Sequence, residues 1–137
     1  MPKNIDARRY LRAALRRLDD AILILHQLDR PAAATYLAGY SVECALKAMM
    51  LDRTSKQKQS DMALKLKKHY RHNLITLSED VRRKGQPPLS ISQKLSLVCE
   101  SEWSPEQRYD PGPGDRKDAE VFLDAVTLVV QWVERSL

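Results

Sequence analysis

The sequence predicts an all-α fold, an antiparallel bundle of four to five helices. Glycine is scarce, with 4 residues in 137, and most of the 7 prolines lie between long stretches of helix-forming residues. Apolar residues recur at the three- and four-residue spacing of amphipathic helices, and no segment alternates clearly enough to form a sheet strand. A chain of this length can bury a core without metal or disulfides, so we expect one domain over residues 1–137.

The first two helices are predicted to form an antiparallel pair. The first covers residues 5–28, with Asn4 as its N-cap and an apolar stripe along one side. Pro31 suits the first position of a second helix that runs to about Leu51, and a turn this short forces the helices to lie side by side. The face of the first helix opposite its apolar stripe carries five arginines: Arg8, Arg9, Arg12, Arg16 and Arg17.

Three further helices are predicted after this pair. A third covers residues 62–84 and ends at a Gly-Gln-Pro-Pro sequence. Ser90 and Gln93 have the spacing of a capping box, which predicts the start of a fourth helix that runs to about Ser101. Asp115 is the predicted cap of the closing helix. Two loops are predicted as well. Residues 52–61 are polar, and residues 102–114 contain repeated prolines and glycines.

The second predicted helix is apolar on nearly every side, yet it contains Glu43 and Lys47. A helix of this kind belongs in the centre of a protein, where charged side chains are costly unless they are paired. The two residues are four apart with the glutamate first, so they share a face in the better orientation for pairing. Tyr36 and Tyr40 lie one to two turns away and are candidates to hydrogen-bond the pair. The polar cluster either positions a phosphate or a base, or it ties this helix to a neighbouring helix or a second copy.

Charge is distributed unevenly along the chain, whose net charge is +5. Residues 53–84 contain ten Lys or Arg against three Asp or Glu, whereas residues 90–137 contain five against nine. A basic surface favours a polyanion such as RNA or another nucleic acid. The alternatives are a basic face that is merely solvated, or one that pairs with the acidic half of another copy.

Several classes of protein are disfavoured by composition. The two cysteines form no disulfide framework, Met1–Asp6 is not a signal peptide, and the apolar runs are shorter than a membrane span. We therefore expect a cytoplasmic protein with no membrane association. The three histidines and two cysteines match no metal-ligand spacing, and no glycine-rich phosphate loop is present, so no metal and no cofactor is predicted.

Three segments together resemble the HEPN (higher eukaryotes and prokaryotes nucleotide-binding) superfamily. They are Tyr-Leu-Ala-Gly-Tyr-Ser-Val-Glu-Cys-Ala-Leu-Lys-Ala at 36–48, His-Asn-Leu at 72–74 and Trp-Ser-Pro-Glu-Gln-Arg-Tyr at 103–109, and a closing helix ends near Trp132. The resemblance implies a bundle of four or five helices that often dimerises. Many members are metal-independent RNases of toxin–antitoxin, abortive-infection or CRISPR systems. Others are non-catalytic partners of nucleotidyltransferases or nucleic-acid-binding modules.

The chain departs from the motif of the catalytic members, in which an arginine precedes a histidine by four to six residues. The positions four to seven before His72 hold Lys68, Lys67, Leu66 and Lys65, and lysine lacks the bidentate phosphate fork of arginine. Nearby cations disfavour the charged imidazole of His72, which suits a general base near pH 7. Arg108, in the loop after Trp103, is a candidate to supply the missing guanidinium, with Tyr109 beside it.

These observations leave three functions open. The leading interpretation is a dimeric protein that binds nucleic acid or a nucleotide-related partner, as one half of a toxin–antitoxin or nucleotidyltransferase-associated system. The second is a divergent metal-independent endoribonuclease with His72 as its base and Arg108 on the phosphate. The third is a non-catalytic subunit that pairs with a nucleotidyltransferase or an antitoxin. The expected polar centre is the same in the first two: Tyr36, Tyr40, Glu43, Lys47, His72, Arg108 and Tyr109.

Overall fold

The computed structural model covers residues 1–137 and describes all of them except 69, 71, 102, 110, 111 and 113. Of residues 108 and 109 it describes the backbone but not the side chains. The described residues form six α-helices and two short 3-10 helices, with no strand among them. The all-α fold is therefore confirmed. The helices are α1 (Ile5–Leu28), α2 (Pro31–Asp52), α3 (Gln59–Lys68), α4 (Leu74–Lys84), α5 (Leu89–Glu100) and α6 (Arg116–Ser136), and the 3-10 segments are Lys56–Lys58 and Pro105–Tyr109.

The predicted pairing of the first two helices is confirmed. The side-chain oxygen of Asn4 accepts a hydrogen bond from the Ala7 amide at 2.9 Å, which caps α1. The chain then leaves α1 through Asp29 in the left-handed conformation, and α2 begins two residues later with Pro31 in its first turn. The Ser41 hydroxyl donates to the Ala14 carbonyl at 2.6 Å, a contact that joins the two helices in the core.

Helix α2 is the centre of the bundle. It contacts α1, α3, α4, α6 and the 3-10 segment Pro105–Tyr109. Its core positions, such as Val42, Leu46 and Met49, are fully buried, and each contributes about 1.5–3 kcal/mol through the hydrophobic effect. The apolar surface of α2 is thus covered by the other helices. Over the ranges that the structure describes, no helix has both the length and the apolar character needed to cross a bilayer.

The prediction of one continuous helix over residues 62–84 is wrong, because this segment is divided between α3 and α4. His72 has a φ of 69°, which a right-handed helix cannot contain. Asn73 then caps α4 by accepting a hydrogen bond from the Thr76 amide at 3.0 Å. The chain therefore turns at the histidine and restarts as a new helix. Asn73, a preferred N-cap residue, was the sequence signal for this break.

Two other predicted boundaries also differ from the structure. The segment 52–61 is not a loop throughout, since it contains the 3-10 turn Lys56–Lys58 and the first residues of α3. The predicted Ser90–Gln93 capping box is wrong. Helix α5 begins at Leu89 with Pro88 at its N-cap and no capping side-chain hydrogen bond. Proline fixes its own φ near the helical value, so the helix starts before Ser90 can act as a cap.

Candidate functional site

Glu43 is the centre of a buried polar network. Its side chain lies in α2 with only 3% of the residue exposed, and each carboxylate oxygen has its own partner. Lys47 Nζ lies 3.1 Å from Oε2, and His72 Nδ1 lies 2.7 Å from Oε1. Both predicted members of the ion pair are therefore buried and paired, as their four-residue spacing predicts. His72 joins them from the junction between α3 and α4.

The contact with Glu43 determines which nitrogen of His72 is able to act as a base. A carboxylate only accepts hydrogen bonds, so Nδ1 carries a proton and its N–H group donates a hydrogen bond to Glu43. In the neutral ring, Nε2 then has the free lone pair. The side chain is 44% exposed, so the imidazole is anchored by a buried group but remains accessible. An oriented and accessible imidazole can take up or give a proton to a bound molecule.

The backbone of His72 is strained in a way that helps to position its ring. A φ of 69° is unusual for a residue with a side chain and costs about 1–2 kcal/mol. Such strain persists only where the surrounding structure compensates for it, and it is frequent at functional sites. Here the compensation comes from the bond to Glu43 and from the capping of α4 by the next residue, Asn73.

Lys47 supplies the second charge of the network. Only 10% of the Lys47 side chain is exposed, and its ammonium group lies 5.7 Å from the centroid of the Tyr10 ring in α1. A cation over an aromatic face gains a further electrostatic contact. Lys47 therefore pairs with Glu43 from within α2, while His72 contacts it from the junction between α3 and α4.

An aromatic group adjoins the polar network. The ring of Tyr40 is edge-to-face with Tyr36, His72 and Trp103, at centroid distances of 5.1, 5.5 and 5.0 Å. The indole Nε1–H of Trp103 donates to the Tyr36 carbonyl at 3.1 Å. The Tyr40 ring thus contacts both His72 and Trp103, and Tyr36 contacts Tyr40 through its ring and Trp103 through its carbonyl. The hydrogen bonds predicted from these tyrosines to the Glu43–Lys47 pair stay a prediction.

Gly39 makes the position of Trp103 possible. A Cβ atom at this residue would lie 2.0 Å from the indole, far inside contact distance. Glycine in a helix costs about 1 kcal/mol relative to alanine, so its presence in α2 has a packing reason. No role for Gly39 was predicted from the sequence. The available signal was an isolated glycine in an otherwise strong helical pattern.

An open cleft of about 600 Å³ lies beside the imidazole. Its size is within the range of small-molecule sites. The walls combine aromatic and apolar side chains with a few polar groups from α2, α4, α5 and the segment that follows α5. The lining residues are Tyr40, His72, Asn73, Leu74, Ile75, Cys99, Trp103, Ser104, Pro105 and Glu106.

Two of the predicted site residues cannot be placed. The side chains of Arg108 and Tyr109 lie outside the described residues, although their backbone belongs to the 3-10 segment Pro105–Tyr109. Pro105 and Glu106, at the start of this segment, line the cleft. Among the described residues, no group of three or more His, Cys, Asp or Glu side chains could hold a metal ion.

Cys44 follows Glu43 in α2, and its surroundings favour the neutral thiol. Burial, followed by the negative charge of Glu43, raises the pKa of the Cys44 thiol to about 11, against the opposing charges of Lys47 and Arg17. A thiol is a weak nucleophile until it is ionised.

Fold and site together define the class of the protein: an all-helical domain with a carboxylate-bound histidine beside an open aromatic cleft. The family model of the HEPN domain matches residues 7–136, nearly the whole chain, and the protein therefore belongs to the HEPN family. No curated protein and no solved structure matches it. Family membership supports a nucleotide-related or RNase-like role at the level of the family as a whole.

Proposed function

We propose that the protein binds single-stranded RNA, with one unstacked nucleotide in the cleft beside His72. The observation that carries this proposal is the imidazole itself, which is anchored to buried Glu43 at 2.7 Å and borders an open cleft with aromatic walls. Proteins recognise single-stranded RNA by stacking its bases on aromatic or histidine side chains. The cleft offers such groups next to a side chain that can hydrogen-bond a phosphate or a 2′-hydroxyl.

A second candidate function is metal-independent RNA cleavage at the same place. The bond between Glu43 and His72 favours it, because a carboxylate-oriented imidazole is a typical general base. In this reaction Nε2 removes the 2′-hydroxyl proton, and the 2′-oxygen attacks the phosphorus. The 5′-oxygen leaves and takes up a proton from water, and the imidazolium returns its proton to the solvent. The RNA ends in a 2′,3′-cyclic phosphate. Arg108 is the proposed partner of the phosphate charge.

Replacing His72 with alanine tests both functions. We expect the affinity for a labelled single-stranded RNA to fall roughly tenfold, because one stacking and hydrogen-bonding group is lost. If the protein cleaves RNA in EDTA, His72→Ala abolishes the cleavage. Fluorescence anisotropy gives the affinity, and gel electrophoresis of end-labelled RNA detects the products.

His26→Ala is the matched control, since His26 is an exposed residue on α1. It should leave affinity and any cleavage unchanged. An unchanged affinity of the His72→Ala protein would refute RNA binding in the cleft. RNA that stays intact in EDTA at high concentrations of the unmodified protein would refute the nuclease, but not the binding function.

We also propose that the protein is a cytoplasmic homodimer and that it belongs to a two-component system with a nucleotidyltransferase or an antitoxin. Membership of the HEPN family, whose domains often act as dimers, supports the homodimer. The excess of basic residues at 53–84 and of acidic residues at 90–137 provides complementary charge for pairing between copies. Light scattering should give twice the mass of the chain at low salt. A monomer at all concentrations would exclude the dimer.

A further inference from the structure

A second basic surface lies outside the cleft, on the exposed face of α1. Arg9, Arg12, Arg16 and Arg17 are all exposed, and we call them the arginine ridge. Together with Ala13 and Leu15 they line an open depression of about 530 Å³. The depression is therefore bordered mainly by cations.

These charges have few partners within the protein. Arg9 and Arg17 form only long, exposed ion pairs, at 3.9 Å to Asp6 and 3.8 Å to Asp20. Exposed pairs of this kind contribute little to stability. Arg12 and Arg16 form no ion pair with any residue that the structure describes. Most of the charge of the ridge is therefore available to a ligand.

The arrangement opposes the stability of α1. Arg12 and Arg16 are four residues apart, and Arg8 is four residues before Arg12, so like charges adjoin one another on the helix surface. Each such pair destabilises a helix by about 0.2–0.5 kcal/mol. Arg8 and Arg9 also lie near the N-terminus of the helix, where its dipole disfavours cations. Folding alone does not explain this pattern, whereas binding of an anion would relieve the repulsion.

The ridge lies on the helix next to the site. Helix α1 packs along α2, and the charge of Arg17 acts on the Cys44 thiol, the neighbour of Glu43 in sequence. On the same pair of helices, Tyr10 contacts Lys47. Arg17, at one edge of the ridge, and Tyr10 therefore lie on the flank of α1 that faces the polar network.

We infer that the arginine ridge binds the backbone phosphates of the RNA strand that occupies the cleft, so that the ligand is a polynucleotide and not a single nucleotide. This inference rests on the proposed function. Arginine forms bidentate hydrogen bonds to phosphate oxygens, which lysine does not. Residues four apart on a helix are about 6 Å apart along its axis, so the ridge is a row of cations suited to successive phosphates. An acidic protein is the other possible partner, and the test below distinguishes it.

The test compares two 2′-O-methylated oligouridylates, which cannot be cleaved through the 2′-oxygen: a dinucleotide and an oligomer of about twelve nucleotides. In the unmodified protein the oligomer should bind more tightly, with a steeper salt dependence. The double variant Arg12→Gln, Arg16→Gln should lower the salt slope for the oligomer by about 1.4, since each lost phosphate contact contributes about 0.7. If affinities are equal at 1 M salt, this corresponds to about 25-fold weaker binding at 0.1 M.

The matched control is Lys117→Gln, Arg135→Gln, which removes the same charge from exposed positions on α6. Its affinity for the oligomer should stay within about twofold of the unmodified protein at 0.1 M salt, where the Debye length is about 10 Å. Affinity for the dinucleotide should be the same in all three proteins. A loss as large in the control as in the ridge variant would mean that net charge alone is responsible, and would refute the ridge.

The possible failures are distinguishable. Equal affinity of the unmodified protein for dinucleotide and oligomer would overturn the ridge inference and leave RNA binding in the cleft intact. If the protein binds neither ligand, the inference falls together with the proposed function. If the ridge variant binds the oligomer normally but loses binding to a polyglutamate peptide, the ridge is a protein-binding surface and the inference is wrong.

Discussion

Replacing Lys47 with methionine is expected to lower the free energy of unfolding by about 3–5 kcal/mol, the usual effect of removing one partner of a buried ion pair. Glu43, of which 3% is exposed, would lose its partner at 3.1 Å and keep an uncompensated charge in the core. Urea denaturation followed by circular dichroism gives this free energy directly.

Lys58→Met is the matched control, because Lys58 is exposed in the 3-10 segment Lys56–Lys58. It should change stability by less than about 0.5 kcal/mol. Adding Glu43→Leu to the Lys47→Met protein should recover part of the loss, since the unpaired carboxylate is then gone. Equal denaturation midpoints for Lys47→Met and Lys58→Met would show that burial of the pair does not matter for stability.

Replacing Gly39 with alanine is expected to destabilise the protein by about 1–3 kcal/mol, as overpacking of a core does. The new methyl group would lie 2.0 Å from the Trp103 indole and force it away from α2. Because Trp103 contacts Tyr40 and lines the cleft, ligand binding should weaken as well. Thermal denaturation and tryptophan fluorescence measure the two consequences.

The effect of Gly39→Ala on stability should have the opposite sign once the indole of Trp103 is absent. In a Trp103→Ala background, Gly39→Ala should stabilise the protein by up to about 1 kcal/mol, because alanine is the better helix former. This double-mutant cycle separates packing from helix propensity. If Gly39→Ala destabilises both backgrounds equally, the contact with Trp103 is not the reason for the glycine.

Local physical rules predicted the parts of the fold that depend on local sequence. The caps at Asn4 and Asp115 and the restart at Pro31 are local features, and all three are present in the structure. The burial of Glu43 and Lys47 follows from the apolar character of α2, which leaves no polar side for them to occupy. The helix break at His72 was missed because the lysines before it are good helix formers, and the turn depends on contacts with α2.

The candidate site is less predictable, because its contacts join distant parts of the chain. His72 and Glu43 are 29 residues apart, and Trp103 and Tyr36 are 67 apart. Helical periodicity determines which side of α2 Glu43 occupies, but not which loop approaches that side. His72 could be proposed as a functional residue from its type and position. Its bond to Glu43 required the positions of α3 and α4 relative to α2.

The start of α4 and the position of the His72 ring depend on adjacent residues of the backbone. Asn73 fixes the first turn of α4 and directly follows the residue whose imidazole borders the cleft. We expect fraying of that turn to loosen the backbone that presents the ring, and a ligand bound to the ring to oppose the fraying. Occupancy of the cleft should therefore be coupled to local unfolding of α4. Hydrogen exchange of the backbone amides in the first turn of α4 should then report binding at the His72 ring.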